Sequence, residues 1–222
     1  MKIISYNICQ SSQEKLEKVI ASKADIYILP ELANSSRLIF PNNYQAQWMG
    51  DNDRKGLGVV WKSELNSKLP KWFNPNHKFI IPLLFGEMLV VAAWPTKTES
   101  NKGKSYPRIL MEALEEYAPF LKQQPTIISG DLNCFMGQQE ATKRFSIETI
   151  CNFLNSLGFV SAYHQTTRET IGKESVATYY HNFNKNRPFF LDYTFLNFPY
   201  KSYYLGEWNE EISDHVPQYL EF

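Results

Sequence analysis

The chain has 222 residues, 43% of them hydrophobic and 15% aromatic, which is enough for one well-buried domain. Its 23 basic residues equal its 23 acidic ones, so no overall charge draws it to nucleic acid or an anionic membrane, and any polyanion site must be local. Cys9, Cys134 and Cys151 include no Cys-x-x-Cys pair, which argues against a disulfide framework and a zinc site. No signal peptide or membrane span is evident. We therefore expect one cytoplasmic domain over residues 1–222, acting as a monomer.

The first half of the sequence predicts a β-α-β opening followed by several short strands. Leu16, Val19 and Ile20 form the apolar stripe of a helix that starts after Ser12 and ends near Lys23. Strands are predicted over residues 2–8, 25–29, 44–49, 57–61, 78–83 and 87–94.

The second half adds two helices among further strands. One helix carries Leu110, Leu114 and Leu121 on a single face, and Pro107 lies near its start, where proline is tolerated. The other spans residues 146–157 and ends at Gly158. Strands are predicted over residues 160–163, 177–181, 189–196, 200–205 and 216–220. Few helices and many short strands predict two sheets packed face to face with helices outside.

The segment between these two helices carries the first polar signal. Ile127 and Ile128 form a short apolar run, after which Asp131 and Asn133 follow at a spacing that places both side chains on one face of an extended backbone. Strand ends of this kind collect ligand groups in α/β proteins. The alternative is a turn in which the two side chains bind only local backbone amides.

Other polar side chains occupy the same kind of position. Asn7 and Glu31 each follow an apolar run, and Asp214 and His215 precede the last strand. Asp192 lies inside an apolar strand, where a carboxylate needs a partner, and His215 is the natural candidate.

This set of side chains predicts a metal site of a particular kind. Carboxylate and amide oxygens without a Cys or His cluster suit a hard ion such as Mg²⁺ or Mn²⁺. A carboxylate-held Mg²⁺ beside an Asp-oriented His is suited to phosphoester hydrolysis, because the metal offsets phosphoryl charge while a base directs water. A His tuned by a carboxylate can be that base near neutral pH.

Five short motifs also carry a resemblance to a known family. They are Ser5-Tyr6-Asn7-Ile8, Leu29-Pro30-Glu31-Leu32, Gly130-Asp131-Leu132-Asn133, Leu191-Asp192-Tyr193 and Ser213-Asp214-His215. In this order they resemble the motif set of the endonuclease/exonuclease/phosphatase superfamily, which includes deoxyribonuclease I and exonuclease III-type enzymes. The resemblance implies a four-layer α/β sandwich of two mixed sheets, with the active site where strand ends meet.

The same resemblance implies a role for each motif residue. Glu31 would be the main metal ligand with Asn7 beside it, and Asp214 would bind the same or a second ion. Asp131 would orient or deprotonate water, and Asn133 would stabilise the phosphoryl group. The remaining roles are His215 as general base or phosphate-contacting acid, Asp192 as its orienting partner and, on a looser match, Tyr106 as a phosphate contact. The choice of base between Asp131 and His215 stays open.

One position departs from the family pattern. Many members have a His where this chain has Trp94, so that phosphate donor is missing or is replaced by the Trp94 Nε1 group. Short bacterial members with Lys-Gly-Leu-Gly and Ala-Tyr-His elements are more similar, and residues 55–58 and 162–164 match these. We expect a Mg²⁺-dependent nuclease. The alternatives are a phosphatase or phosphodiesterase of inositol phosphates or phospholipids, and a binding module that retains the fold without turnover.

Several residues have a simpler structural interpretation. His164 and His181 are expected to be core or loop histidines outside the metal site, and Cys134 a small buried side chain rather than a nucleophile. Basic residues at 97–108 and 143–173 fit solvated loop charge as well as they fit contacts to a phosphate backbone.

Overall fold

The computed structural model describes residues 1–222, and the chain is built mainly of short strands. The first part forms β1 (Lys2–Ser5), α1 (Gln13–Ile20), β2 (Ile26–Leu32), β3 (Tyr44–Asn52), β4 (Lys55–Lys62), β5 (Ser67–Lys68), β6 (Ile80–Phe85), β7 (Met88–Ala93) and α2 (Tyr106–Leu121). The second part forms β8 (Thr126–Asp131), α3 (Ile147–Ser156), β9 (Val160–Ser161), α4 (Ala162–Thr167), β10 (Tyr179–Tyr180), β11 (Pro188–Phe189), β12 (Asp192–Leu196), β13 (Ser202–Leu205) and β14 (Gln218–Glu221). None of these helices has the length and apolar character needed to cross a membrane.

Two six-stranded sheets contain twelve of the strands. The first has the order β13-β14-β1-β2-β4-β3, and the second has the order β5-β6-β7-β8-β12-β9. Both are mixed, because β1 and β2 run parallel, as do β7 and β8, while the other neighbours are antiparallel. β10 and β11 form a separate two-stranded ribbon.

The alternation of apolar residues explains why these sheets are layered. Ile26 and Ile28 of β2 face the large core between the sheets, whereas Tyr27 and Leu29 face the smaller outer core that α1 covers. Leu16 of α1 is fully buried in that outer core, as its sequence pattern predicts. Helices α2 and α3 contribute buried residues to the large core on the side of the second sheet. The result is the predicted four-layer sandwich, with helices outside two packed sheets.

Three predicted strands in the second half of the chain differ most from the structure. The strand predicted over residues 160–163 ends at Ser161, and Ala162–Thr167 form α4, because two adjacent buried residues fit one helical turn as well as a strand end. The strand predicted at 177–181 is reduced to Tyr179–Tyr180. The strand predicted at 189–196 is interrupted where Leu191 N and Asp192 N both donate to Thr178 Oγ1, at 2.9 and 3.0 Å. There the chain passes from the ribbon to the second sheet.

Candidate active site

The predicted polar residues meet at one edge of the sandwich. β1 and β2 are parallel and end near Asn7 and Glu31, while β8 ends on Asp131 in the other sheet. Asp192 begins β12 directly opposite Asp131 in the antiparallel register. His215 lies in the segment leading to β14, which pairs with β1. The edge therefore combines side chains from both sheets.

Glu31 reaches this edge through a β-bulge. In the pairing of β2 with β4, Pro30 is opposite Leu57 and Leu32 is opposite Gly56, so Glu31 is an extra residue without a partner. Its φ of 61° lies in the left-handed region, which is uncommon for a residue other than glycine. The bulge turns the Glu31 side chain out of the regular alternation of the strand, as bulges near active sites often do.

Asp131 depends on Gly130 immediately before it. Gly130 has a φ of 151°, and a Cβ at this position would lie 1.9 Å from the carbonyl oxygen of Ala93 on the neighbouring strand β7. No side chain fits there, so glycine lets the end of β8 lie close to β7. The Asp131 carboxylate is thereby held in the seam between the two sheets, where it is only 2% exposed.

The two oxygens of Asp131 have different partners. Oδ1 accepts a hydrogen bond from the backbone N–H of Asn133 at 3.0 Å, which is the local turn considered from the sequence. Oδ2 accepts from Asn7 Nδ2 at 3.0 Å, across the space between the sheets. Asn133 has a φ of 51°, and its Nδ2 donates to the Pro95 carbonyl at 3.1 Å. Asp131 is thus both a turn residue and a member of the site.

His215 forms a buried pair with Asp192, as the sequence suggested. Its Nδ1 lies 2.9 Å from Asp192 Oδ2, and its Nε2 lies 3.8 Å from Asp131 Oδ2. The backbone is fixed by Ser213, whose Oγ accepts from His215 N at 3.0 Å and donates to the Asn7 carbonyl at 2.5 Å. The imidazole is therefore oriented by one carboxylate and faces another.

Burial and charge shift the proton affinities of this group. Burial raises the pKa of the Asp131 carboxyl to about 7, and the Asp192 charge adds to the rise while His215 opposes it. Burial would lower the pKa of His215, but the charges of Asp192 and Asp131 outweigh it and raise that pKa to about 9. His215 therefore keeps its proton to higher pH than an ordinary imidazole, and Asp131 holds a proton more tightly than an ordinary carboxyl.

Two sets of side chains could hold a metal ion. Ligand atoms of Asp131, Asp192 and His215 lie within 4.8 Å of one another, but they are already engaged with each other and with Asn7. Glu31 differs, because its side chain accepts no hydrogen bond in the structure and has only a loose contact with a lysine.

The surroundings of Glu31 fit the predicted hard-ion site. Asp214 makes no salt bridge, and its charge acts on the Cys9 thiol, as the Glu31 charge also does. Burial and these two carboxylates raise the pKa of Cys9 to about 11. Carboxylates without a basic hydrogen-bond partner, beside the Asn7 amide, match the oxygen ligands that Mg²⁺ prefers.

Two further predicted residues line the edge. Tyr106 begins α2, and the Asp131 charge contributes to its raised pKa, although burial is the main cause. Lys97 Nζ lies 5.0 Å from the Tyr106 ring centre and 2.5 Å from Glu140 Oε1. Trp94 is buried and packs edge-on against Phe79 at 5.0 Å between ring centres.

The structure also adds site residues that sequence reasoning missed or left undecided. The Tyr179 ring lies 4.5 Å from the His215 ring, and the two residues form an isolated β-bridge. The sequence places Tyr179 only in the strand predicted over residues 177–181. Thr178, which holds the start of β12, and Lys55, which approaches Glu31, were not assigned roles. Ser213 and Lys55 had a usable signal, because Ser213 belongs to a motif and Lys55 begins the Lys-Gly-Leu-Gly element.

His164 and Cys134 are engaged away from the site, whereas His181 contacts the site residue Tyr179. His164 Nε2 lies 3.1 Å from Glu174 Oε1, and His181 Nδ1 lies 2.8 Å from the Tyr179 hydroxyl. Cys134 is fully buried, and burial raises its pKa well above the ordinary value. These positions agree with the structural interpretation of His164 and Cys134, while His181 lies next to the site through Tyr179.

The comparisons with known proteins yield no match to a protein-family model or to a curated protein, but solved structures match over nearly the whole chain. An AP endonuclease from Archaeoglobus fulgidus has a TM-score of 0.69 and 17% identity, covering 100% of this chain and 99% of that chain. A 3′ phosphatase from Neisseria bound to a product DNA hairpin has a TM-score of 0.72 and 17% identity, with the same coverage. The endonuclease domain of TRAS1, a telomere-specific non-LTR retrotransposon, has a TM-score of 0.64 and 14% identity, covering 99% and 97%. The chain therefore has the deoxyribonuclease I-like fold, the four-layer fold of the superfamily that its motifs resemble.

Proposed function

We propose that this protein is a Mg²⁺- or Mn²⁺-dependent phosphodiesterase that hydrolyses nucleic acid. The observation that carries the proposal is the convergence of the buried His215–Asp192 pair on Asp131, at the edge where the Glu31 carboxylate has no hydrogen-bond donor. The names of the similar structures support it, since they include an AP endonuclease, a 3′ phosphatase bound to DNA and a further endonuclease domain.

Glu31 would be the main ligand of the ion, with the Asn7 amide oxygen and the Asp214 carboxylate beside it. When bound, the ion would offset negative charge on the phosphoryl oxygens of the substrate. Two hydrogen bonds set the orientation of the Asn7 amide: its nitrogen donates to Asp131, and its Oδ1 accepts from Cys9 N at 2.9 Å, which leaves a second lone pair of Oδ1 for the ion.

The proton affinities favour Asp131 as the base. A general base works best when its pKa is near the operating pH, and the Asp131 pKa of about 7 meets that condition. His215, with a pKa of about 9, is mainly protonated at neutral pH and suits donation from Nε2 to a phosphoryl oxygen. Asp192 holds the ring through Nδ1, and the second N–H of the Asn133 amide is available to the phosphoryl group.

The decisive experiment measures hydrolysis of a substrate panel in one Mg²⁺ buffer. The panel contains abasic-site duplex, single-stranded DNA, RNA and inositol phosphates. We expect cleavage of nucleic acid that EDTA abolishes and that excess Mg²⁺ restores. Cleavage of the inositol phosphates alone would favour the phosphatase alternative, and no cleavage of any substrate would contradict the proposal.

Substitutions at Asp131 and His215 test whether that hydrolysis depends on the candidate active site. Asp131→Asn and His215→Ala should each lower kcat by about 100-fold or more, the scale of a lost general acid or base. His77→Ala is a matched control, because His77 pairs with Glu116 at 2.7 Å and belongs to none of the motifs. Its activity should equal that of the wild type. Equal activity of wild type and His215→Ala would remove His215 from the mechanism.

A further inference from the structure

The ammonium group of Lys55 lies beside the candidate metal-binding carboxylate. Lys55 Nζ is 3.7 Å from Glu31 Oε2, too far for a hydrogen bond but close enough for an ion pair. The two side chains are 44% and 20% exposed, so the ammonium group faces solvent while the carboxylate is mostly enclosed. The positive charge thus lies at the mouth of the site.

Lys55 also contacts the other sheet. Its Nζ lies 5.7 Å from the centre of the Trp94 ring, within the range of a cation–π interaction. Trp94 follows β7, whereas Lys55 begins β4 and Glu31 lies in β2. Next to Lys55, Gly56 pairs with Leu32 beside the β-bulge, so the backbone keeps Lys55 at the active-site edge.

The basic residues of the 97–108 segment have acidic partners outside the site. Lys97 pairs with Glu140 at 2.5 Å, and both Lys104 and Arg108 pair with Glu112, at 2.6 and 2.8 Å. Among the lysine and arginine side chains, Lys55 alone has its ion-pair partner among the proposed metal ligands. Any ion that binds Glu31 therefore removes the partner of Lys55.

We propose that Lys55 is a phosphate-binding residue that balances the Glu31 charge in the metal-free protein and binds the substrate phosphate once Glu31 holds the ion. This inference rests on the proposed function, because it assigns the released ammonium group to the phosphate of that substrate. A cation on Glu31 repels Lys55, and a phosphodiester supplies a new negative partner at the mouth of the site. Metal and substrate binding are thereby coupled through one side chain.

The first test measures Mg²⁺ binding by calorimetry in the absence of substrate. Lys55→Met should bind Mg²⁺ about threefold to tenfold more tightly than the wild type, because a competing positive charge is removed. Lys55→Arg should resemble the wild type. Lys78→Met is the matched control, since Lys78 pairs with Asp51 at 3.4 Å on the surface, and its Mg²⁺ affinity should not change. Equal Mg²⁺ affinity in Lys55→Met and the wild type would show that the Lys55 charge does not compete with the ion at Glu31.

The second test measures oligonucleotide binding by fluorescence anisotropy with Ca²⁺ in place of Mg²⁺, so that no turnover is needed. Lys55→Met should raise the Kd about tenfold, the scale of a lost charge-assisted hydrogen bond. The slope of log Kd against log salt concentration should fall by about one, which a purely structural role would not cause. Lys55→Arg should keep most of the affinity.

The results separate the two proposals. A wild-type protein that binds Mg²⁺ and oligonucleotide but hydrolyses no phosphodiester contradicts the proposed function and leaves the binding role of Lys55 intact. An active wild type with an unchanged Kd and salt slope in Lys55→Met overturns the role of Lys55 alone. Because Lys55 is 44% exposed, its replacement should leave the thermal unfolding temperature nearly unchanged, which checks that folding is intact.

Discussion

His215 and Asp131 share a buried space in which neither charge is independent of the other. The imidazole keeps its proton because two carboxylates surround it, and Asp131 gains proton affinity because it is buried beside Asp192. Coupled groups of this kind titrate as a unit. The apparent pKa values of a pH–activity profile therefore describe Asp131 and His215 together rather than either residue alone.

The metal-free protein provides a direct check of the His215 charge. NMR titration of the four histidine rings should show one with a pKa near 9, well above the ordinary value of 6.5. Asp192→Asn removes the largest of the charges that raise this pKa and should lower it by about one unit or more. If the raised histidine pKa stayed the same in Asp192→Asn, the pairing of His215 with Asp192 would not be its cause.

The same shifts predict how stability changes with pH. Both folded-state pKa values lie above the ordinary ones, 3.8 for Asp131 and 6.5 for His215, so the folded protein binds each proton more tightly than the unfolded chain. The stabilisation is complete below those ordinary values and is lost as pH rises through about 7 for Asp131 and about 9 for His215. Urea unfolding from pH 5 to 9 should show the free energy falling with pH, and Asp131→Asn should flatten the fall below pH 7. A wild-type curve that rises over this range would contradict the assigned directions.

At the level of the elements, two backbone irregularities position the site. The bulge in β2 turns Glu31 toward the edge, and Gly130 brings the end of β8 against β7. Each irregularity occurs at the end of its strand, so the regular part of the sheet still supplies the rigid support.

Gly130→Ala should destabilise the protein strongly. The added Cβ would lie 1.9 Å from the Ala93 carbonyl oxygen, so the backbone of β7 or β8 must move, and the φ of 151° adds strain. We expect a loss of about 3 kcal/mol or more in the free energy of unfolding, measured by urea denaturation. Gly137→Ala is the control, because nothing lies within 4 Å of its added Cβ, although its φ of 79° predicts a smaller loss of about 1 kcal/mol. Equal losses in the two variants would show that the close approach to β7 is unimportant.

At the level of the whole molecule, the site exists only because the two sheets pack together. Asn7 belongs to the first sheet and Asp131 to the second, and they are 124 residues apart in the sequence. Their hydrogen bond joins a proposed metal ligand to the proposed base.

Asn7→Ala tests this connection between the sheets. Asp131 would lose a donor that favours its ionised form, so its pKa should rise further and the acidic limb of activity should move to higher pH. The free energy of unfolding should fall by about 1–3 kcal/mol, the cost of leaving a buried polar group without a partner. The measurements are the pH dependence of kcat/KM with saturating Mg²⁺ and urea denaturation. If the acidic side of the pH profile of kcat/KM did not move, the hydrogen bond from Asn7 would not affect the pKa of Asp131.

The sequence by itself determined the chemical character of the site. Asn7, Glu31, Asp131 and His215 could be selected because each lies where an apolar run meets a loop, and their oxygen and nitrogen atoms limit the chemistry. The layered fold followed from the pattern of few helices and many short strands, and its four-layer form from the resemblance that the ordered motifs carry. These signals are local, so they can be read without knowing which strands pair.

The tertiary structure decided which of these groups meet and in what charge state. The hydrogen bond of Asn7 to Asp131, the approach of Lys55 to Glu31 and the packing of Tyr179 on His215 all depend on sheet packing or strand register. The basic segment at 97–108 looked available for phosphate, but its cations are paired with nearby acids in the folded chain. Burial, which sets the pKa values of Asp131 and His215, arises only when both sheets exclude water from the seam between them.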